Sequence, residues 1–254
     1  MCIRDSRTAL SSFLFGSSGR EDYPDFWDGH TDDDGDFKLV LLDEDSDLDI
    51  DEYNVIATSF EQTLSPHYEI IRIERIQNKL LWQKYSDCAK RMDRFNNKKI
   101  EEMILFHGTS TNPPKLIYKG DASFDMRYCE EGMWGRGNYF AVNASYSDYY
   151  SHRCQGAGGY RQMLVAYVLT GYSYSCHPDS TLQKPPFRPG GDTGVKHRYD
   201  SVSGVSGGSK IYITYDNDRA YPAYLITYGS YYSLLLPKLR RMKILMRTKA
   251  DQMK

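Results

Sequence analysis

The sequence predicts a mixed domain of short strands and a few helices, and it argues against a dinucleotide-binding Rossmann fold. Apolar, β-branched or aromatic segments bounded by glycine, proline or polar residues are typical of strands, as at 104–106 and 160–170. Two longer segments, at 51–63 and 80–92, carry apolar residues at helical spacing. The Gly-x-Gly turn at 135–137 lacks the third glycine of the dinucleotide-binding fingerprint.

The composition fits one globular domain with flanking tails. The chain has 254 residues, of which 40% are hydrophobic and 26% are charged. Its formal net charge of −2 does not call for a nucleic-acid or membrane partner, and no apolar run approaches the ~20 residues of a transmembrane helix. The five cysteines are sparse, irregularly spaced and without a CxxC pair. They predict reduced thiols in an intracellular protein, nuclear or cytoplasmic, and no zinc site.

The first half of the chain is expected to lead from two extensions into a strand–helix–strand–helix series. Residues 1–25 have no periodic apolar pattern and are expected to be a disordered or non-native leader. Residues 26–52 form an acidic extension, in which the run at 32–36 lacks the glutamate of a calcium loop and 37–42 is typical of a strand. The helix at 51–63, a strand at 68–77 with alternating isoleucines and the helix at 80–92 follow.

The second half alternates strands and loops. A strand at 104–106 ends at His107-Gly108, and a loop with short helical turns fills 109–132. Further strands are predicted at 138–142, 160–170, 210–215 and 221–228, a helix from the Asn-Ala-Ser step at 143–145, and loops at 178–194 and 203–209.

The chain becomes basic and partly amphipathic after Ser230. The preferred interpretation of 231–254 is a disordered or non-native tail. A helix that binds nucleic acid or a membrane surface is the alternative, and it depends on the basic residues from Lys238 onward.

The motifs at the centre of the chain resemble a known family. His107-Gly108-Thr109, then Gly-x-Gly-x-Tyr-Phe-Ala at 135–141, then Ser147 and Tyr150 are similar to the catalytic domain of the poly(ADP-ribose) polymerase superfamily. Three further segments fit the same family in the same order: Arg72–Trp82, Tyr199–Val202 and Ala220–Tyr228. The first of them resembles the segment before the catalytic core in macrodomain-bearing mono-ADP-ribosyltransferases.

The resemblance implies the fold, the substrate and the extent of the domain. It implies an α+β domain with the ADP-ribosyltransferase (diphtheria-toxin-like) fold, in which two mostly antiparallel sheets pack together with peripheral helices around them. It places the catalytic domain at 53–230 and implies NAD+ as co-substrate with no metal. It further implies that the loop at 119–132 lies over the NAD+ site and that the loop at 202–209 borders the acceptor, while Arg136 faces either phosphate or solvent.

The resemblance also assigns roles within the site. His107 would bond to the adenosine-side ribose, Gly108 would offer its backbone N–H and C=O to the nicotinamide carboxamide, and Ser147 would complete that clamp. Tyr150 would stack on the nicotinamide ring with Tyr139 on the opposite side. A lone histidine is usually structural and most tyrosines pack in cores, so the spacing of these residues carries the interpretation. The predicted NAD+-binding set is His107, Gly108, Thr109, Tyr139, Ala141, Ser147 and Tyr150.

The third catalytic position departs from the polymer-forming members. Those members carry a glutamate nine residues before the alanine of Ala-Tyr-Pro, and here that position is Ile211. Isoleucine cannot accept a hydrogen bond or act as a base. The set His107, Tyr139 and Ile211 therefore implies a protein mono-ADP-ribosyltransferase that modifies acidic side chains and releases nicotinamide. Two alternatives stay open: a catalytically silent NAD- or ADP-ribose-binding module, and transfer to nucleic-acid ends through the basic tail.

Overall fold

The computed structural model describes residues 23–24, 26–27, 36–96, 101–154, 159–189 and 197–231. The acidic run at 32–35, nearly all of the predicted leader and all but the first residue of the basic tail lie outside these ranges. The hypotheses about those segments therefore stay predictions.

Strands dominate the described ranges. The helices are α1 (Ile50–Glu61), α2 (Lys79–Phe95), α3 (Lys115–Tyr118) and α4 (Ala144–Asp148), with 3-10 turns at Met126–Tyr128 and Asn217–Arg219. The strands are β1 (Phe37–Leu41), β2 (Tyr68–Asn78), β3 (Glu102–His107), β4 (Glu131–Gly132), β5 (Gly135–Arg136), β6 (Asn138–Ala141), β7 (His152–Arg153), β8 (Arg161–Leu169), β9 (Ser173–Ser175), β10 (Ser201–Ser206), β11 (Ser209–Thr214) and β12 (Ala220–Ser230).

The main sheet follows the order β1-β2-β12-β8-β3-β6-β11-β10-β9. β7 pairs with the first residues of β8, and β4 and β5 form a separate two-stranded sheet. Neighbouring strands are antiparallel except β9 and β10, which confirms the predicted α+β class. The two expected sheets are halves of one hydrogen-bonded path. They meet at β3 and β6, where Phe106 pairs with both Val165 and Ala141. The end of β3 therefore lies at the junction of the two halves.

Both long helices form for the reasons that their sequence pattern predicts. In α1 the buried stripe includes Ile56, Ala57 and Phe60, at the spacing of one helix face. In α2 the side chain of Asn78 caps the first turn by accepting a hydrogen bond from the Leu81 amide at 3.1 Å. Both helices cover the same core, which also contains buried residues of β2, β8 and β12.

The predicted loop at 203–209 is wrong, because this segment is the hairpin of β10 and β11. Gly207 and Gly208 make its turn with φ of +55° and +74°, a conformation that glycine adopts without strain. Gly204 lets the strand lie against Trp134, since a Cβ there would stand 1.9 Å from the indole ring. Small and polar residues in β10 concealed the strand from pattern analysis.

Candidate active site

A cavity of about 560 Å³ opens where β3, β6, α4 and the loop at 109–132 meet. This volume lies within the range of small-molecule binding sites. The structure brings most of the predicted site residues to its wall: His107, Gly108, Thr109, Tyr139, Ser147 and Tyr150.

His107 is the last residue of β3, and a backbone contact fixes its ring. Its Nδ1 lies 2.8 Å from the carbonyl oxygen of Tyr139. Because a carbonyl only accepts, Nδ1 carries the proton and Nε2 of the neutral ring keeps an acceptor lone pair. Burial lowers the pKa of His107 to about 4, against a smaller opposing effect of the bond to Tyr139. The ring is therefore a neutral acceptor at pH 7, packed against Phe124 and Phe140.

Gly108 is required where β3 meets α4. A Cβ at this position would lie 2.4 Å from the carbonyl oxygen of Ser147 and 2.5 Å from that of Tyr150. The next turn of chain follows the same helix end, since the Ser110 amide donates to the Tyr150 carbonyl at 2.6 Å. The backbone after β3 is thus held against the residues predicted to contact nicotinamide.

Ser147 is buried, and its hydroxyl donates to the carbonyl of Phe106 at 3.0 Å. The start of α4 is tied to the end of α1, because the Ala144 amide donates to Oγ1 of Thr63 at 2.9 Å. These bonds set the distance between the serine and the end of β3.

Asp148 fixes the other end of α4. Its Oδ1 accepts from Nη1 of Arg161 at 2.7 Å and from the hydroxyl of Tyr228 at 2.6 Å. Both partners belong to the central strands β8 and β12. The helix that carries Ser147 is therefore anchored directly to the sheet.

Tyrosines provide the aromatic wall. The Tyr139 hydroxyl donates to the Gly135 carbonyl and accepts from the Trp134 amide, both at 2.8 Å. Burial raises its pKa to about 12, so the phenol stays neutral. Tyr150 is 48% exposed, and its ring centroid lies 5.5 Å from that of Tyr146. The sequence analysis did not single out Tyr146, which lies in α4 and also lines the cavity, whereas Tyr150 lies in the turn after α4.

The loop at 119–132 covers one side of the cavity, and hydrogen bonds hold it in place. Ser123 donates to the carbonyl of Ala220 at 3.1 Å, and Nδ2 of Asn138 donates to the carbonyl of Phe124 at 2.8 Å. The amide of Met126 donates to the side chain of Asn217 at 2.8 Å. This arrangement places the loop beside the cavity, and its position over bound NAD+ stays a prediction.

Arg136 holds the same loop instead of facing the cavity. Its Nε donates to the carbonyl of Cys129 at 2.9 Å, and Nη2 donates to the carbonyl of Arg127 at 3.1 Å. Its side chain is exposed, which matches the predicted solvent-facing alternative, and it does not line the cavity. Arg136 is a positioning residue for the loop.

The loop makes the wall acidic. Four carboxylates line the cavity against one arginine, which gives a net charge of −3 with histidine neutral. The arginine, Arg127, is itself paired with Asp125 at 2.6 Å, and its hydrogen bonds lower the pKa of that carboxyl. The carboxylates are Asp121, Asp125, Glu130 and Glu131. Such a wall favours the cationic end of a bound ligand.

Two predicted site residues lie elsewhere. Ile211 is 0% exposed and pairs with Ala141 across β6 and β11. Both belong to a buried apolar cluster with Trp134, Val202 and Ile213. Neither lines the cavity, so the structure does not place their side chains against a bound substrate.

No group of three or more His, Cys, Asp or Glu side chains suited to a metal occurs in the described ranges. The cysteines there, Cys88, Cys129, Cys154 and Cys176, are free thiols. None of the helices within those ranges has the length and apolar character needed to cross a membrane.

Comparison with known proteins agrees with the family resemblance of the sequence motifs. The family model described as poly(ADP-ribose) polymerase catalytic domain matches residues 50–230. A Dictyostelium discoideum protein named probable poly [ADP-ribose] polymerase is 38% identical over 180 residues, 70% of this chain and 49% of that protein. Human protein mono-ADP-ribosyltransferase PARP14 is 35% identical over 180 residues, 70% of this chain and 10% of that protein. Mouse protein mono-ADP-ribosyltransferase PARP12 is 33% identical over 215 residues, 84% of this chain and 28% of that protein. The chain thus spans half or less of the length of each of these relatives.

Proposed function

Because the chain belongs to the poly(ADP-ribose) polymerase catalytic-domain family, we propose that it is an NAD+-dependent protein mono-ADP-ribosyltransferase. It transfers one ADP-ribose unit from NAD+ to a side chain of a target protein and releases nicotinamide. The observation that carries this proposal is the convergence on one cavity of His107, Gly108, Ser147 and two tyrosines, Tyr139 and Tyr150.

The wall of the cavity fits NAD+ as the substrate. The neutral His107 ring offers Nε2 as acceptor for a ribose hydroxyl, and the half-buried Gly108 lines the cavity beside it. Ser147 already donates to Phe106, so a carboxamide oxygen would have to take over that bond. The rings of Tyr139 and Tyr150 supply apolar faces for nicotinamide.

The residues act by orientation and electrostatics. In the substrate NAD+, the bond from ribose C1′ to nicotinamide weakens and breaks. The ribose becomes oxocarbenium-like, and nicotinamide leaves as a neutral molecule. Tyr139 and His107 are held by backbone contacts before substrate arrives, so little further ordering is needed to fix the ribose. The carboxylates of the loop, Asp121 to Glu131, favour the positive charge of nicotinamide and of the developing cation.

Transfer of single units follows from position 211. Chain growth in the family depends on a glutamate there, and Ile211 offers neither a base nor an acceptor. Its burial between β6 and β10 also removes it from the cavity. The acceptor must therefore supply its own nucleophile, and we propose that this is an Asp or Glu carboxylate of the target protein.

Incubation with labelled NAD+ followed by a denaturing gel tests the activity. We expect a sharp labelled band for the wild type and no band for His107→Ala or Tyr139→Ala. A Leu48→Ala variant is a matched control, since Leu48 is 93% exposed and lies outside the cavity. Binding of NAD+ by a folded wild type that yields no label would contradict transfer and favour a silent binding module.

Hydroxylamine distinguishes the acceptor class, because it cleaves ester-linked ADP-ribose from carboxylates. We expect the label to be released from modified targets by neutral hydroxylamine. Label that persists would exclude Asp and Glu as the main acceptors and would leave the transferase activity itself intact.

A further inference from the structure

A second cavity, of about 240 Å³, lies between the end of α2 and the turn before β12. It shares no lining residue with the candidate active site. Four arginines line it: Arg91, Arg188, Arg198 and Arg219. We call this set of residues, with Asp200, the arginine cleft.

The acidic partners of the arginine cleft do not balance its charge. Asp200 accepts from Nη2 of Arg188 at 2.7 Å and from Nη1 of Arg219 at 3.2 Å, so both of its oxygens are engaged. Its Oδ2 also receives hydrogen bonds from Asn96 and from the Tyr172 amide, each at 2.9 Å. The other carboxylate on the wall, Asp216, is exposed. Four arginines against two aspartates leave a net charge of +2 with histidine neutral.

Part of the donor capacity of the cleft is unused. Nε of Arg188 is buried and has no hydrogen-bond partner. Arg91 is exposed and makes no ion pair within the described part of the chain. A buried donor without a partner is costly, and the net positive charge of the cleft attracts anions. An anionic ligand in the cleft would offer an acceptor to Nε of Arg188 and a counter-charge to Arg91.

Two of the four guanidinium groups lie over aromatic rings. Arg188 lies 4.2 Å from the ring centroid of Tyr172, and Arg198 lies 3.8 Å from that of Phe187. Nη1 of Arg198 is tied to the Pro185 carbonyl at 2.7 Å. Planar, preorganised guanidinium groups suit the tetrahedral oxygens of a phosphate group.

We propose that the arginine cleft binds a phosphomonoester group. The net charge of +2 complements a group that carries about −1.5 to −2 at pH 7. The volume of about 240 Å³ is below the ~300 to 1,000 Å³ of typical ligand pockets, so the cleft takes a compact phosphate group and not a whole dinucleotide. The proposal does not depend on transferase activity.

Isothermal titration with inorganic phosphate and with O-phosphoserine tests the proposal. We expect saturable binding that Arg91→Gln weakens about five- to tenfold, as removal of one charge-assisted contact predicts. Arg91→Lys, which keeps the charge and loses the planar fork, should weaken it less. Arg94→Gln is the matched control, because Arg94 is exposed on the same helix and does not line the cleft.

The two probes identify the source of the phosphate. Tighter binding of O-phosphoserine supports a phosphorylated organic ligand, and equal binding supports the phosphate ion. The absence of saturable binding by either probe would overturn the proposal. Equal weakening by Arg91→Gln and Arg94→Gln would also overturn it, because the effect would then come from general surface charge.

Discussion

Replacement of Gly108 by alanine should separate activity from stability, because the backbone around this residue leaves no room for a methyl group. The new Cβ would lie 2.4 Å from the Ser147 carbonyl oxygen and 2.5 Å from that of Tyr150. Ordinary contact at such a carbon begins near 3.4 Å. The end of β3 and α4 must therefore move apart by about 1 Å, since the opposing atoms are backbone.

The displacement acts directly on the site. It lengthens the 3.0 Å bond from Ser147 to Phe106 and moves the Gly108 backbone relative to Tyr150. Misplacement of a reacting group by about 1 Å can lower a rate by roughly 100-fold. Overpacking costs about 1 to 3 kcal/mol, so Tm should fall by about 2 to 12 °C in a domain of this size.

Steady-state transfer kinetics and thermal unfolding together test this expectation. We expect kcat/KM for NAD+ to fall about 100-fold in Gly108→Ala while the protein remains folded at 25 °C. Gly159→Ala is the control: its φ is +62° and nothing lies within 4 Å of the added methyl. That variant should lose about 1 to 2 kcal/mol through backbone strain and keep its kcat/KM. A Gly108→Ala enzyme within threefold of the wild type would refute the proposed contact between β3 and α4.

Three further predictions follow from the same contacts. Because the folded-state pKa of His107 is about 4 and the unfolded value is about 6.5, the unfolded chain binds more protons between these values. Stability should therefore decline as pH falls from 6.5 to 4. His107→Gln should make Tm depend less steeply on pH in this range, and an equal dependence in both proteins would contradict the burial of His107. Asp148→Asn should lower the free energy of unfolding by about 2 kcal/mol and Tm by about 4 to 8 °C, because Arg161 and Tyr228 lose a charged acceptor. An unchanged Tm together with an unchanged KM for NAD+ would exclude an anchoring role. Arg136→Ala should raise KM for NAD+ with little change in Tm, since its exposed side chain only holds the loop; an unchanged KM would show that the loop keeps its position without it.

Periodicity predicted the elements with strong apolar patterns. The helix expected at 51–63 spans Ile50–Glu61, and the strand expected at 160–170 spans Arg161–Leu169. β10 escaped prediction because Ser-Val-Ser-Gly-Val-Ser carries little apolar signal and is stabilised by β11 and Trp134. Whether such a segment forms a strand depends on its contacts with segments that are distant in the sequence.

The candidate site was predictable only in part, because the sequence shows the spacing of residues and does not show their burial. The spacing of Tyr139, Ser147 and Tyr150 singled them out, and the fold brings all three to one cavity. Sequence reasoning could not separate Tyr146 from the other tyrosines, and it could not show that Ile211 points into the core. Burial and side-chain direction arise from the tertiary fold. The roles of these residues and a nuclear or cytoplasmic location stay predictions.

Intact-mass spectrometry of a modified target protein distinguishes the transfer of single ADP-ribose units from chain growth. We expect each modified site to gain the mass of one ADP-ribose unit, with one nicotinamide released per unit. Longer incubation should add no second unit to the same site. A ladder of increments on a single site would contradict this expectation, because chain growth would then proceed with Ile211 in place of the glutamate.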